Sequence, residues 1–320
     1  MVIKKALLQR IRDSSSYVHL LAGLRIWIAV SSTSFLVVAL WSHASQLRRL
    51  SLTETTWWWI ALGIGLSWLS LVINAIGWCQ LLSWLGYQGS NRVLVRLYLH
   101  SNLLKYLPGG IWHLANRLKL LQSRAGFGAA FTSVLLEPLL MGAAAMLWVA
   151  LSGCDPGLAV IATIPSLTLV TPIREPLLRC IETLYARQIY NINSSHHTGT
   201  PTGALYQSRV GYPWQPLLVE FAFVACRFSG FWCCVQALSV ATSLPIGRWL
   251  AAFAIAWTAG LVTPAAPGGL GVFEAVLLLL VGGQVPKASV LAVALSYRFV
   301  ATLADLLAAA SAYTNRALAT

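Results

Sequence analysis

Long apolar runs separated by short polar stretches dominate the pattern of this sequence. A helix of about 20 apolar residues is long enough to cross the hydrocarbon core of a bilayer. Five predicted spans cover residues 26–41, 57–85, 127–151, 216–241 and 288–313. One more is an apolar run that follows the turn at 153–157 and ends near Thr171. The pattern therefore predicts an all-α integral membrane protein with about six full spans.

Pro108, Gly109 and Gly110 interrupt one of the apolar stretches. Proline lacks the amide donor that a helix interior needs, and glycine is a weak helix former, so the helix should break here. Residues 93–107 number only 15, about 22 Å of helix against a hydrocarbon core of about 30 Å. Residues 111–123 resume helical spacing. This arrangement predicts a re-entrant helical hairpin, hairpin one, whose broken backbone is shielded by protein or water.

Pro267, Gly268 and Gly269 form a second break of the same kind. The apolar runs on either side, residues 249–263 and 271–283, are each too short to cross a bilayer at the standard rise of a helix. We therefore predict a second re-entrant hairpin, hairpin two. Broken helices at corresponding places in two halves of a chain are typical of transporter cores.

The basic residues indicate the orientation of the chain. With a cytoplasmic N-terminus, most Lys and Arg residues face the cytoplasm, including those of a polar loop over residues 172–215, and only four lie outside. Hairpin one then enters from the cytoplasm, hairpin two enters from the opposite side, and both termini are cytoplasmic. Glu137 follows Gly110 by 27 residues and Arg298 follows Gly269 by 29. We predict an inverted repeat within one polytopic domain over residues 1–320, with the two break points meeting near the membrane midplane.

Composition supports a membrane location, because 58% of the 320 residues are hydrophobic and 10% are charged. A soluble domain cannot bury that much apolar surface. The net charge of +13 also occurs in nucleic-acid-binding proteins, but no basic soluble module carrying aromatic residues is present. We attribute the basic surplus to cytoplasmic loops and contact with anionic lipids, and expect no nucleic acid partner.

Motifs for metal binding and catalysis are not found. The six cysteines have no metal-ligand spacing, and the His196-His197 pair lies in a polar loop without companion ligands. The sequence contains no nucleophile elbow, zinc-protease helix, Walker loop or dinucleotide fingerprint. We therefore predict no metal, no cofactor and no catalytic residues.

Six charged residues lie inside apolar segments, where an unpaired charge is costly. They are Glu137, Glu220, Arg227, Glu274, Arg298 and Asp305. Glu220 and Arg227 are seven residues apart, as are Arg298 and Asp305, so the members of each couple lie about 10 Å apart on one helical stripe. We expect their partners on neighbouring helices. Two interpretations stay open: the charges form fixed ion pairs that lock the bundle, or they line a substrate path.

The helices that follow the two breaks, near Ile111 and Leu270, are predicted to form an anion site. Their first amide groups and the positive end of the helix dipole suit a phosphate or a carboxylate. Glu274 is either part of this site or only the cap of its own helix, and His113 is either an ordinary helix histidine or a proton relay. The predicted substrate-binding set is Pro108, Gly109, Gly110, His113, Arg117, Glu137, Arg227, Pro267, Gly268, Gly269, Glu274, Arg298 and Asp305.

Several motifs together carry a family resemblance: YLPGGIWHLANR, a following Arg-Ala-Gly turn, a span with LLEP, TPAAPGGLGVFEAVLLLL and YRFVATLADLL. From about residue 17 to 315 the chain resembles the membrane region of lysylphosphatidylglycerol synthases and their stand-alone UPF0104-type relatives. The resemblance implies a flippase-like protein of the plasma (inner) membrane that moves a lipid between leaflets. No part of the chain resembles the cytosolic domain that attaches lysine in the full-length synthases, so lysyl transfer is not expected. Some relatives occur beside hopanoid and glycolipid pathways, so the resemblance does not identify the lipid.

Three hypotheses of function follow. The leading one is a lipid translocase or lipid-binding transporter for a phospholipid or other anionic lipid, with the headgroup held at the two helix breaks. The alternative is a membrane subunit or enzyme of lipid or glycolipid synthesis, with Glu137 or Glu274 as general base. The third is a scaffold that recruits a cytosolic lipid-modifying enzyme through the basic loop.

Overall fold

The structure, a computed structural model, describes residues 54–106, 112–153, 155–180, 211–240, 244–263 and 267–317. These residues are helical with no strand, so the predicted all-α membrane fold is confirmed. The predicted span over residues 26–41 lies outside the described residues, as do Pro108, Gly109 and Gly110 at the first break.

The described α-helices are numbered here in chain order. They are α1 (Glu54–Trp84), α2 (Asn91–Asn102), α3 (Trp112–Ala125), α4 (Phe127–Leu151), α5 (Pro156–Leu167), α6 (Thr171–Cys180), α7 (Trp214–Ala237), α8 (Ile246–Val262), α9 (Val272–Val281) and α10 (Lys287–Ala317). Two short 3₁₀ segments, Leu103–Tyr106 and Pro267–Gly269, follow α2 and precede α9.

Helices α1, α4, α7 and α10 are each long and apolar enough to cross a membrane. Helices α5 and α6 meet that test only as a pair bent by 68°, so the described residues contain four or five spans. The predicted run ending near Thr171 corresponds to α5 and the turn that follows it. Its last turn tightens where the amides of Thr168 and Leu169 bond three residues back, and Pro172 suits the first turn of the next helix.

The predicted loop over residues 172–215, in which an interfacial amphipathic helix near Arg174 to Tyr190 is an open alternative, begins with a helix, because α6 extends as far as Cys180. Arg174 is buried there rather than solvated. Its Nη1 donates to the carbonyl oxygens of Leu169 and Gly211, both at 3.0 Å, and its guanidinium lies over the Trp84 ring at 5.0 Å. Arg174 thereby holds α6 against the end of α1 and the segment that leads into α7.

Helices α1 and α7 form the most closely packed pair of spans. Small residues allow this approach, since a methyl group added to Gly63 would lie 3.2 Å from the carbonyl oxygen of Gly230. Helices in a bilayer associate by such close contact, because surrounding lipid is as apolar as their side chains. Helices α4 and α10 pack on the same pair.

Hairpin two consists of α8 and α9, which pack against each other. The chain breaks between them as predicted, with Gly268 and Gly269 at φ of 59° and 71°, a region that glycine enters without steric cost. A methyl group on Gly269 would lie 3.0 Å from the Cα of Gly260. The turn therefore lies directly on the backbone of α8. Phe231, Phe253, Phe273 and Tyr297 pack around this hairpin as one aromatic cluster.

Hairpin one consists of α2 and α3, which also contact each other. Helix α2 packs on α1 and α10, and α3 packs on α4. The 3₁₀ segment after α2 contacts the 3₁₀ segment of hairpin two; these two segments, Leu103–Tyr106 and Pro267–Gly269, are called the junction below. The broken ends of the hairpins are thus in contact, whereas the six-span count, the inverted repeat and the membrane orientation stay predictions.

Candidate functional site

A cavity of about 180 Å³ lies beside the junction. Its wall is built by both hairpins and by the spans α1, α4, α7 and α10. Of the predicted site residues, those that line it are His113, Arg117, Glu137, Arg227, Gly268, Gly269 and Arg298. Glu274 and Asp305 are buried behind the wall, each bonded to a basic residue that lines it. The structure thereby brings together residues that are far apart in the sequence.

Arg298, on α10, holds hairpin two in shape. Its Nη1 and Nη2 donate to the carbonyl oxygens of Gly268 and Gly269, the second at 2.6 Å. Its Nε donates to Glu274 at 2.6 Å. These carbonyl groups precede the turn into α9, so the guanidinium satisfies acceptors that the broken helix leaves open. Arg298 is therefore already engaged by the protein.

Glu274 caps its own helix, the second of the two roles predicted for it. Its Oε2 accepts from the amide of Gly271 at 2.7 Å, while Oε1 accepts from Arg298. A carboxylate in the first turn also interacts favourably with the helix dipole. The Gly271 amide at the start of α9 is consequently engaged by the protein itself.

Arg117 joins hairpin one to α4. The guanidinium of Arg117, 1% exposed, donates to both oxygens of Glu137 at 2.8 and 2.7 Å and to Ser101 at 3.0 Å. It also stacks 3.7 Å from the centroid of the Tyr98 ring. The prediction that the buried charges find partners on neighbouring helices is confirmed for this pair. Both bonds to Glu137 come from Nη1, and hydrogen bonds between two charged groups are stronger than those between neutral groups.

Asp305, on α10, binds the end of α2. It accepts from Asn102 at 2.9 Å, from Tyr106 at 2.5 Å and from Lys105 at 2.8 Å. Sequence reasoning missed these three partners as site residues. The signal was present, because Lys105 is a charge in an apolar run and all three directly precede the Pro108 break. Asp305 thereby ties the last span to the junction.

Arg227, on α7, is the exception among the basic residues of the cavity wall. It is 7% exposed, and its Nε and Nη1 have no hydrogen-bond partner among the described residues. The nearest aromatic contact is Tyr297, whose ring centroid lies 6.0 Å away. The hydroxyl of Tyr297, which also lines the cavity, is buried without a described partner. An unpaired buried cation beside an unpaired hydroxyl is costly unless an anion completes the site.

Three of the four cations on the wall, Lys105, Arg117 and Arg298, are in ion pairs, which fits the interpretation of charges that lock the bundle. Arg227 fits the other interpretation, a charge that faces a substrate path. His113 lines the cavity next to hairpin one. Within the described ranges, no cluster of His, Cys, Asp and Glu has the geometry to hold a metal ion.

Comparison with protein families gives one match. Residues 24–309 match the family model for the lysylphosphatidylglycerol synthase TM region. No curated protein is significantly similar to the chain in sequence. The matched range includes both hairpins and every residue of the cavity wall.

Proposed function

Because the chain belongs to the lysylphosphatidylglycerol synthase transmembrane-region family, a membrane lipid-related family, we propose that it is a lipid translocase or lipid-binding transporter. The polar headgroup enters the cavity at the junction, and the acyl chains stay in the bilayer. A phospholipid or another anionic lipid is the substrate class.

The unpaired cation at Arg227 is the observation that carries this proposal. Each of the other three cations on the wall is neutralised by a carboxylate of the protein. An entering anion therefore meets a guanidinium whose Nε and Nη1 have no hydrogen-bond partner among the described residues, together with the hydroxyl donor of Tyr297. A phosphodiester carries a single negative charge, and the planar guanidinium can donate two parallel hydrogen bonds to it.

The size of the cavity supports a headgroup rather than a whole lipid. At about 180 Å³ the space is smaller than the roughly 300–1,000 Å³ of sites that enclose drug-sized molecules. The wall also includes apolar side chains, among them Leu71, Met141 and Phe223. A translocase needs a polar space for the headgroup alone, because the headgroup requires shielding from hydrocarbon while the acyl chains do not.

The test is reconstitution of the purified protein in vesicles with fluorescent phospholipids on one leaflet. We expect wild type to move the label between leaflets and Arg227→Ala to do so at least about tenfold more slowly, the equivalent of about 1.4 kcal/mol. Arg248→Ala is the matched control, since Arg248 is exposed and bonds to Gln284 away from the cavity. Native mass spectrometry should detect co-purified lipid with wild type and less with Arg227→Ala.

Equal rates for wild type and Arg227→Ala would remove the role assigned to this residue. A cell that lacks the protein and loses a lipid species, with leaflet distribution unchanged, would instead favour the alternative role in lipid or glycolipid synthesis.

A further inference from the structure

Glu220, on α7, is a buried acid that the proposed lipid site does not use. It is 2% exposed and does not line the cavity. Three other buried acids, Glu137, Glu274 and Asp305, each form an ion pair with a cation of the cavity wall. Glu220 forms no ion pair in the described part of the chain. Its neighbour is a neutral amide, Asn74 on α1.

The Asn74 amide links Glu220 to Tyr98. One terminal atom of the amide lies 3.0 and 3.2 Å from the two Glu220 oxygens and 3.1 Å from the Tyr98 hydroxyl oxygen, and the other lies 2.7 Å from that same hydroxyl oxygen. Tyr98 in turn donates to Glu137 at 2.7 Å. Which amide atom is oxygen and which is nitrogen is decided by the hydrogen-bond network. Two networks satisfy these positions, and they differ by one proton.

In the first network Glu220 is protonated. Its hydroxyl donates to the Asn74 oxygen, the Asn74 nitrogen donates to the Tyr98 oxygen, and Tyr98 donates to Glu137. Both hydroxyl donors in this chain have an acceptor, and Glu137 keeps its two bonds from Arg117. The carboxyl group of Glu220 is then neutral, as a buried acid without a cation should be.

In the second network Glu220 is ionised and the amide is turned over. The Asn74 nitrogen donates to the Glu220 carboxylate, and its oxygen competes with Glu137 for the single hydroxyl proton of Tyr98. Binding of one proton from water to the carboxylate converts this network back into the first. The change is thus reversible and requires no other reactant.

The charged groups that face Glu220 are one other carboxylate and one guanidinium. The groups that face it are Glu137 on α4, Arg117 on α3 and Tyr98 on α2, and α1 contributes only the neutral Asn74. Two carboxylates therefore share one guanidinium, which already donates to both oxygens of Glu137. Glu137, Arg117 and Glu220 together are neutral when Glu220 holds a proton. They carry one negative charge when it does not.

We propose that Glu220 is a proton-binding site, and that its protonation is coupled to hairpin one through Asn74 and the Tyr98–Glu137 hydrogen bond. Tyr98 and Arg117 belong to the two limbs of that hairpin, so the proton state of Glu220 alters how the hairpin is held against α4. Asn74 and Tyr98 line the cavity, which places the proton site one side chain behind the headgroup. The coupling rests on the proposed function and makes lipid movement sensitive to protons.

Infrared spectroscopy of the protein in lipid bilayers tests the proton site without any transport assay. We expect a carbonyl stretch of a protonated carboxylic acid that weakens as the bulk pH is raised and is absent in Glu220→Gln. Glu54→Gln is the control, because Glu54 is exposed at the start of α1, and it should keep the band. A band that persists in Glu220→Gln, or that does not change with pH, overturns the proton site.

The coupling is tested by the rate of lipid movement at several pH values. Glutamine imitates the protonated acid in shape and charge, so Glu220→Gln should elute as a folded protein and move lipid at a rate independent of pH. Wild type should change rate with pH over the range in which its infrared band titrates. A wild-type rate independent of pH overturns the coupling. A wild type that moves no lipid at all counts against the proposed function, while the infrared result still decides the proton site.

Discussion

The Arg117–Glu137 pair allows a quantitative test of how the buried charges stabilise the bundle. Arg117→Met keeps most of the side-chain length but removes two charge-assisted hydrogen bonds of 2.7 and 2.8 Å and a third to Ser101 at 3.0 Å. Glu137, 2% exposed, then retains a single described donor, Tyr98. Removal of one partner of a buried pair costs about 3–5 kcal/mol, because the other charge stays buried without compensation. We expect this loss in the free energy of unfolding of Arg117→Met.

The double variant Arg117→Met, Glu137→Gln separates the ion pair from simple packing. Neither position then carries a charge, and the glutamine oxygen still accepts from Tyr98. We expect the double variant to be no less stable than Arg117→Met alone, so the coupling energy should be at least as large as the loss caused by Glu137→Gln alone.

The assay is reversible unfolding in mixed lipid and detergent micelles, followed by far-ultraviolet circular dichroism for the wild type, both single variants and the double variant. A loss below about 1 kcal/mol for Arg117→Met would place the pair in the range of exposed surface pairs. Additive losses in the double variant would refute the argument that the two charges compensate each other.

Two further predictions concern the junction and use the same unfolding assay. Gly269→Ala should lower the free energy of unfolding by more than about 1 kcal/mol, because the residue has a φ of 71° and the new methyl group would lie 3.0 Å from the Cα of Gly260. Gly283→Ala is the control, since nothing lies within 4 Å of a methyl group there. Equal stability of the two variants would contradict the reasoning. Tyr106→Phe should lower the free energy of unfolding by about 1.5–3 kcal/mol, because it removes a hydrogen bond to the charged Asp305. An unchanged free energy of unfolding would show that this bond does not stabilise the protein.

The positions of the helix breaks could be predicted from the sequence, and the second break confirms the reasoning. Proline removes a donor and glycine enters positive φ at whatever place they occur, so these effects depend on the residue itself. At Gly268 and Gly269 the structure has the expected turn. The bend between α5 and α6 could not be located in the same way. Apolar periodicity does not reveal where a helix bends, and the contact of Arg174 with Gly211 beside this bend joins residues far apart in the sequence.

Part of the candidate site could also be predicted. Charges in apolar runs identified Glu137, Arg227, Glu274, Arg298 and Asp305, because such residues are costly in a bilayer and must be paired or face water. The role of Glu274 could not be decided between cap and ligand, since both roles require an acid in the first turn. Polar residues with modest hydropathy signals, such as Asn102 and Tyr98, were missed as site residues because polar side chains are common in helices.

The sequence by itself determined the class of protein, the apolar spans and the location of the second helix break. These properties follow from short-range chemistry: the length of an apolar run, a missing amide donor, a residue without a side chain. Only the tertiary structure decided which charged residues form pairs with each other. Asn102 and Asp305 are 203 residues apart, and the pairing of Arg117 with Glu137 leaves Arg227 facing the cavity and Glu220 without a cation. Such pairing depends on where helices cross, because a buried charge is stabilised only by groups within a few ångströms of it in space.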